Sequence, residues 1–436
     1  MDSIKIRLKE SFAFYYSVFL VVFLLVLVNI NSKILLYVFI LFTAFLLTKP
    51  MYIIPIYIIS SLSANYFIAG EGISISRLLG FILILGGIIY QFRHGLAFKR
   101  KQLTLLTIIA VYAYFSSLFS LTGSMTAFTS LTQNIIVVLM LGQIRDINID
   151  ELSKLLTISA VITIIILTLA LQKNISVVQA ERLSIGDDVN VNRFAMMLAQ
   201  LAAIVFAGLL VNNKSKLRKS VLVISIILSY LMLFFSGSRS ATIGITGAIG
   251  VVVLYLLATK RRKFLWPAAL LIIATLFFVN QIKKLDLPVI ERFSIENVLE
   301  SRGTHRIDTW ETLVPVTFQN KFLFGYGLGG ENSYALAYQH GLRYAAHNFV
   351  IDMFIQTGFI GILLFFSYFI FLGKKLKRSL NYPTIIFPIM ILITAIMNGI
   401  GETIYLEKLF WNGMALSWLF LNNIRLESGS IVEENK

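Results

Sequence analysis

Residues 152–171 read LSKLLTISAVITIIILTLAL, and stretches of this kind recur along the whole chain. An apolar run of about 17 to 22 residues crosses a hydrocarbon core of roughly 30 Å at 1.5 Å per helical residue. Composition agrees: 57% of the residues are hydrophobic and 14% are charged, where a soluble chain carries about a quarter charged. The excess apolar surface needs lipid to face. The expected fold class is therefore an all-α polytopic membrane protein, one integral domain over residues 1–436 with about 14 transmembrane helices. The segments lie near 12–30, 33–48, 51–69, 75–92, 103–121, 125–144, 152–171, 191–211, 219–236, 239–258, 264–282, 347–372, 383–400 and 404–422.

The formal net charge of +16 invites a nucleic-acid role, but its distribution argues against one. Four short clusters hold much of the positive charge. They are Arg93 with Lys99, Arg100 and Lys101; Lys214, Lys216, Arg218 and Lys219; Lys260 to Lys263; and Lys374, Lys375, Lys377 and Arg378. Each sits between apolar runs and contains no acid, which is the pattern of cytoplasmic loops under the positive-inside rule. With both termini in the cytoplasm and the N-terminal MDSIKIRLKE leading an uncleaved first span, all four clusters fall on the inner face. The polar loops 172–190 and 283–346 then fall outside. The second, between the eleventh and twelfth spans, is expected to fold into short helices capping a site. The chain has no cysteine, so disulfide and thiolate chemistry are excluded.

Charged groups beside lipid are functional candidates because burying them is costly. Arginine disfavours the outer face, yet Arg193, Arg239, Arg302 and Arg306 are all placed there. Arg193 lies in DDVNVNRFAMM, Arg239 in FFSGSRSATIG and Arg306 in SRGTHRIDTW. A guanidinium offers five donors in a fork that fits phosphate oxygens, so converging outer arginines point to a phosphate or pyrophosphate ligand. The plainer alternative pairs each with lipid headgroups or with Asp187, Asp188 or Glu296. His347 stands with Asn348 at the mouth of AAHNFVIDMFIQTGFIG. A free imidazole titrates at about 6.5 and can take a proton near neutral pH. The competing reading makes it a helix-start residue bonded to loop backbone, with Asn348 as partner or cap. His305 and His340 carry no such spacing.

Three motifs do not lead to chemistry. GYGLGG at 325–330 matches the glycine pattern of a dinucleotide loop but lacks a flanking strand and helix, and reads as a glycine turn. The histidines form no HExxH pair, and Asp187–Asp188 in a polar loop reads as solvated rather than as a metal site.

The order SGSRS, then Arg306, Trp310 and FGYGLGG in a large outer loop, then HNFVIDMFIQTGFIG resembles the O-antigen ligase/polymerase superfamily over roughly residues 185–372. The resemblance implies a membrane-embedded glycosyltransferase core with an outer site on the bacterial inner membrane. It implies inverting transfer of a glycan from an undecaprenyl-pyrophosphate-linked oligosaccharide to a lipid-linked glycan acceptor, with no metal and no cofactor. Arg193 and Arg239 would clamp the pyrophosphate, with Arg302 and Arg306 as further contacts. His347 would take the proton of the attacking hydroxyl, with Asn348 and Trp310 lining the substrate. A chain-length regulator protein is an implied partner. Some ligases carry an acid close to a HNxxxE pattern; here the next acid is Asp352, which leans toward polymerase. The alternatives are an O-antigen ligase transferring the chain to lipid A core and, in another class, a repeat-unit flippase or transporter.

Overall fold

Backbone groups inside lipid have no water to bond, so apolar runs of this length close their hydrogen bonds within helices. The computed structural model describes residues 50–62, 75–94, 100–123, 125–173, 175–178, 182–185, 190–211, 216–258, 293, 305–329, 331–403 and 406–427. The chain divides into two compact units, Met1–Ile89 with Asp146–Gln281, and Tyr90–Arg145 with Ile282–Lys436.

The first unit contains α1 (Pro50–Leu62), most of α2 (Ile75–His94), α5 (Ile149–Lys173), α6 (Val191–Val211), α7 (Lys216–Ser236) and α8 (Arg239–Ala258). Its centre is α6, buried at every position from Phe194 to Leu210. A helix apolar on all sides is expected in such a place. Small residues such as Ala195, Ala199, Ala203 and Gly208 let α5, α7 and α8 approach it closely. At Gly208 a Cβ would overlap the side chain of Thr157 on α5. Between α5 and α6 stands an antiparallel pair, β1 (Ile175–Val178) and β2 (Arg182–Ile185), in register from Ile175↔Ile185 to Val178↔Arg182. This pair departs from the expected loop at 172–190. Four-residue strands are too short to show an alternating pattern in sequence.

The second unit holds α3 (Arg100–Leu118), α4 (Thr126–Gln143), α9 (Arg306–Lys321), α10 (Asn332–Gln339), α11 (Phe349–Arg378), α12 (Ile386–Asn398) and α13 (Lys408–Glu427). Helix α13 lies buried against α4 and α12, with Phe410, Trp411, Trp418 and Phe420 in the core. Its polar residues meet helix ends that need partners. Asn423 Nδ2 donates to Ile144 O at 2.8 Å, and Asn422 donates to Gly142 O, supplying carbonyls left open at the end of α4. Helices α9 and α10 pack on α11 through Leu313, Leu336, Ala337, Ala346 and Ile355, with Trp310 against the cluster.

Six helices among the described residues are long and apolar enough to cross a membrane: Lys101–Leu118, Ile149–Leu169, Val191–Val211, Lys216–Ser236, Arg239–Ala258 and Phe349–Arg378. Exposed Phe81, Leu85, Phe92, Phe115, Leu254 and Ile370 present apolar surface of the kind lipid covers. The protein is membrane-embedded. Shorter apolar helices cover Met51–Ser61, Leu79–Phe92 and Pro383–Asn398. The expected segments 12–30, 33–48 and 264–282 lie outside the described residues. Of the rest, each coincides with a helix over its described part; residues 63–69 of the segment 51–69 also lie outside the described residues.

The span expected at 347–372 is two helices. Gly358, at φ 63° and ψ −167°, breaks α11. The stretch 359–378 that follows is about 30 Å long at 1.5 Å per residue, with Lys374, Lys375, Lys377 and Arg378 at its end. The stretch 349–357 is a separate short helix leading into it. The break leaves backbone groups open, and residues 322–329 close them. Phe359 N donates to Phe322 O at 2.8 Å, Ile360 N to Leu323 O at 3.2 Å, and Tyr326 N to Ile355 O at 2.8 Å. Gly329 N donates to Gln356 Oε1 at 3.0 Å, and Leu328 N to Ser116 O on α3 at 3.2 Å. Asn332 holds the far side of this segment. Its Oδ1 accepts from Ser120 Oγ at 3.0 Å, Thr122 Oγ1 at 3.0 Å and Thr122 N at 3.2 Å, while Nδ2 donates to Gly327 O. Asn332→Ala leaves several of these buried groups unpaired, so a loss of about 3 kcal/mol is expected. A thermal unfolding midpoint of the detergent-solubilised protein equal to wild type would contradict that.

Candidate active site

His347 is the residue around which the start of α9, the start of α11 and the turn after α12 gather. It directly precedes Asn348, whose extended backbone and side chain form the N-cap of α11. Asn348 Oδ1 accepts from Val350 N at 3.0 Å and from Ile351 N at 3.2 Å. The same amide donates through Nδ2 to Ile400 O at 3.1 Å, and Phe349 N donates to Gly399 O at 2.8 Å. These bonds bring the turn after α12 against the start of α11, and that turn carries Glu402.

Glu402 joins two of the expected site residues. Its Oε2 lies 3.3 Å from His347 Nδ1, and its Oε1 lies 3.7 Å from Arg306 Nη2. The Glu402 side chain is 13% exposed against 37% for His347, so the carboxylate sits behind the ring and the imidazole faces outward. A carboxylate beside Nδ1 favours the proton on that nitrogen and leaves the Nε2 lone pair as the acceptor. Arg306 opens α9, which places its guanidinium beside the same carboxylate. Trp310, one turn later, donates from Nε1 to Ala346 O at 2.6 Å. His305 stacks on Tyr344 with ring centroids 5.7 Å apart.

Four of the expected residues, Arg306, Trp310, His347 and Asn348, are therefore neighbours. Asn348 and Trp310 bond through their polar groups to protein backbone. Arg302 lies outside the described residues, as do Asp187 and Asp188. Arg193 and Arg239 belong to the first unit. Asn190 caps α6, with Oδ1 accepting from Asn192 N at 2.9 Å and from Arg193 N at 3.3 Å, and this sets Arg193 exposed in the first turn. Arg239 is the first residue of α8, directly after a turn at Gly237 with φ 62°. Successive spans reverse direction and α7 alone separates α6 from α8, so both helices start at the same end. Each start adds the positive pole of a helix dipole to its arginine.

Glu402 is the functional candidate that the sequence reading passed over. The signal was there in NGIGETIY: an acid in the short turn between two apolar segments, on the same side as His347 by span parity. The glycine segment at 325–330 follows helix α9 rather than a strand, which removes its likeness to a dinucleotide loop. Among the described residues, no group of three or more His, Asp and Glu side chains is placed to hold a metal ion.

Apolar spans with a carboxylate, an imidazole and a guanidinium grouped at the start of one of them define an integral membrane protein with a cluster of ionisable side chains. Residues 223–366 match the family model described as O-antigen ligase. The matched stretch runs from α7 into α11 and includes Arg239, Arg306, Trp310 and His347. It supports membership of the O-antigen ligase/polymerase superfamily, whose members are glycosyl-transferring enzymes. No curated protein matches the chain.

Proposed function

We propose that the protein is a surface-polysaccharide polymerase of the bacterial inner membrane. It transfers a glycan from undecaprenyl pyrophosphate to the hydroxyl of a lipid-linked repeat unit on the outer face. The observation that carries the reading is the placement of Glu402 between His347 and Arg306, within reach of a helix that starts at the membrane boundary. An acceptor hydroxyl becomes a useful nucleophile when a base takes its proton as the new bond forms. His347 Nε2 is that base, and Glu402 stabilises the imidazolium that results. The hydroxyl oxygen bonds to the anomeric carbon, the bond from that carbon to the pyrophosphate oxygen breaks, and the electron pair leaves with undecaprenyl pyrophosphate. Attack from the opposite face inverts the anomeric centre. Charge builds on the leaving pyrophosphate, so donors matching that charge accelerate the step. Arg193 and Arg239 are the groups assigned to it. No metal is required by this scheme.

The test is a gel of surface and lipid-linked glycans from a deletion strain carrying wild type, His347→Ala or Glu402→Gln. Polymerase action predicts that deletion collapses the ladder to single repeat units on the normal acceptor. Wild type restores the ladder and His347→Ala does not. Long chains retained on undecaprenyl pyrophosphate would identify a ligase instead. Repeat units trapped at the cytoplasmic face would identify a flippase and end the catalytic assignment of His347.

A further inference from the structure

His347 has φ 44°, a left-handed backbone that a non-glycine residue holds only when its surroundings enforce it. The enforcement is visible on both sides. Before it, Ala346 O accepts from Trp310 Nε1 at 2.6 Å and Ala346 N donates to Ser333 Oγ at 3.1 Å. After it, Asn348 caps α11 while its Nδ2 reaches across to Ile400 O at 3.1 Å. Ile400 is two residues from Glu402. One amide side chain therefore fastens the residue next to the imidazole to the turn that bears its carboxylate.

We infer that Asn348 is a positioning residue which acts through Glu402, holding that carboxylate against His347 by the bond from Nδ2 to Ile400 O. The inference rests on the reading of His347 as proton acceptor. The two halves of the amide have separable tasks: Oδ1 starts the helix, and Nδ2 places Glu402. Serine is as good an N-cap as asparagine, but it is too short to reach Ile400 O. Asn348→Ser thus keeps the helix start and removes the side-chain bond to the turn, leaving only the backbone bond from Phe349 N to Gly399 O.

The experiment uses the full chain in native membranes, with lipid-linked repeat units as substrate. Transfer and thermal midpoint are measured for wild type, Asn348→Ser, Glu402→Gln, the double variant and His347→Ala. Asn348→Ser is expected to lower transfer by about tenfold with its midpoint unchanged, and the double variant to transfer no more slowly than Glu402→Gln, because residues acting through one another are not additive. Asn348→Thr offers the same cap should the serine variant fail to accumulate. Losses that multiply in the double variant, with His347→Ala inactive, overturn the positioning role alone and return Asn348 to a separate contact with substrate. Unchanged transfer by Asn348→Ser overturns it as well. Full transfer by His347→Ala overturns the base assignment and the inference together.

Discussion

Replacing His347 by alanine is expected to slow glycan transfer by about a hundred- to ten-thousand-fold, the range that a positioned general base contributes. The size of the effect follows from what is left behind. Glu402 remains beside Arg306, but it lies behind the position of the ring and no acceptor replaces Nε2. Stability should change little, since the His347 side chain is 37% exposed and the bonds that hold Ala346 and Asn348 do not involve the ring. Glu402→Gln should fall between wild type and His347→Ala, because the imidazole remains as base without its charged support. The measurement is the rate of ladder formation in membranes given lipid-linked repeat units, normalised to the amount of protein. A His347→Ala rate within threefold of wild type would show that the hydroxyl loses its proton elsewhere.

Much of the fold was legible because hydropathy reports a requirement that lipid imposes on every span. The helices α5, α6, α7 and α8 fall where their apolar runs do, and Lys216, Arg218 and Lys219 occupy the first turn of α7. What escaped has a physical pattern. The β1–β2 pair is too short to show a period. The break at Gly358 follows Gln356 and Thr357 inside a stretch read as one span, and it depends on a partner segment, residues 322–329, that is remote in sequence. His347 was legible as a rare ionisable group beside a span, and Arg306 as a cation on the disfavoured face. Their junction was not: Glu402 reaches them only because Asn348 and Phe349 bond to Gly399 and Ile400. Asn348 read equally as cap or as substrate contact, and its geometry shows the cap.

The same break makes Gly358→Ala a severely damaging small substitution. At φ 63° and ψ −167° the backbone lies in a region that is essentially open to glycine alone. Space adds a second objection. A Cβ at Gly358 would stand 2.5 Å from Leu323 C and 2.5 Å from Phe324 N, both backbone atoms. Neither can retreat, because Phe322 O and Leu323 O accept from Phe359 N and Ile360 N, the first open donors of the span. Moving the segment would orphan those donors at the edge of the membrane, where each unsatisfied group costs several kcal/mol. A loss above about 4 kcal/mol is expected, at the far end of the range for single substitutions. The variant should accumulate poorly and unfold at a much lower temperature in detergent. Gly373, farther along the same helix, is the matched control: nothing lies within 4 Å of its Cβ position. Gly373→Ala should stabilise by up to about 1 kcal/mol through helix propensity. Equal midpoints for the two variants would mean that α11 runs straight through residue 358. The crossing by residues 322–329, and with it the short helix that presents His347, would then have to be abandoned.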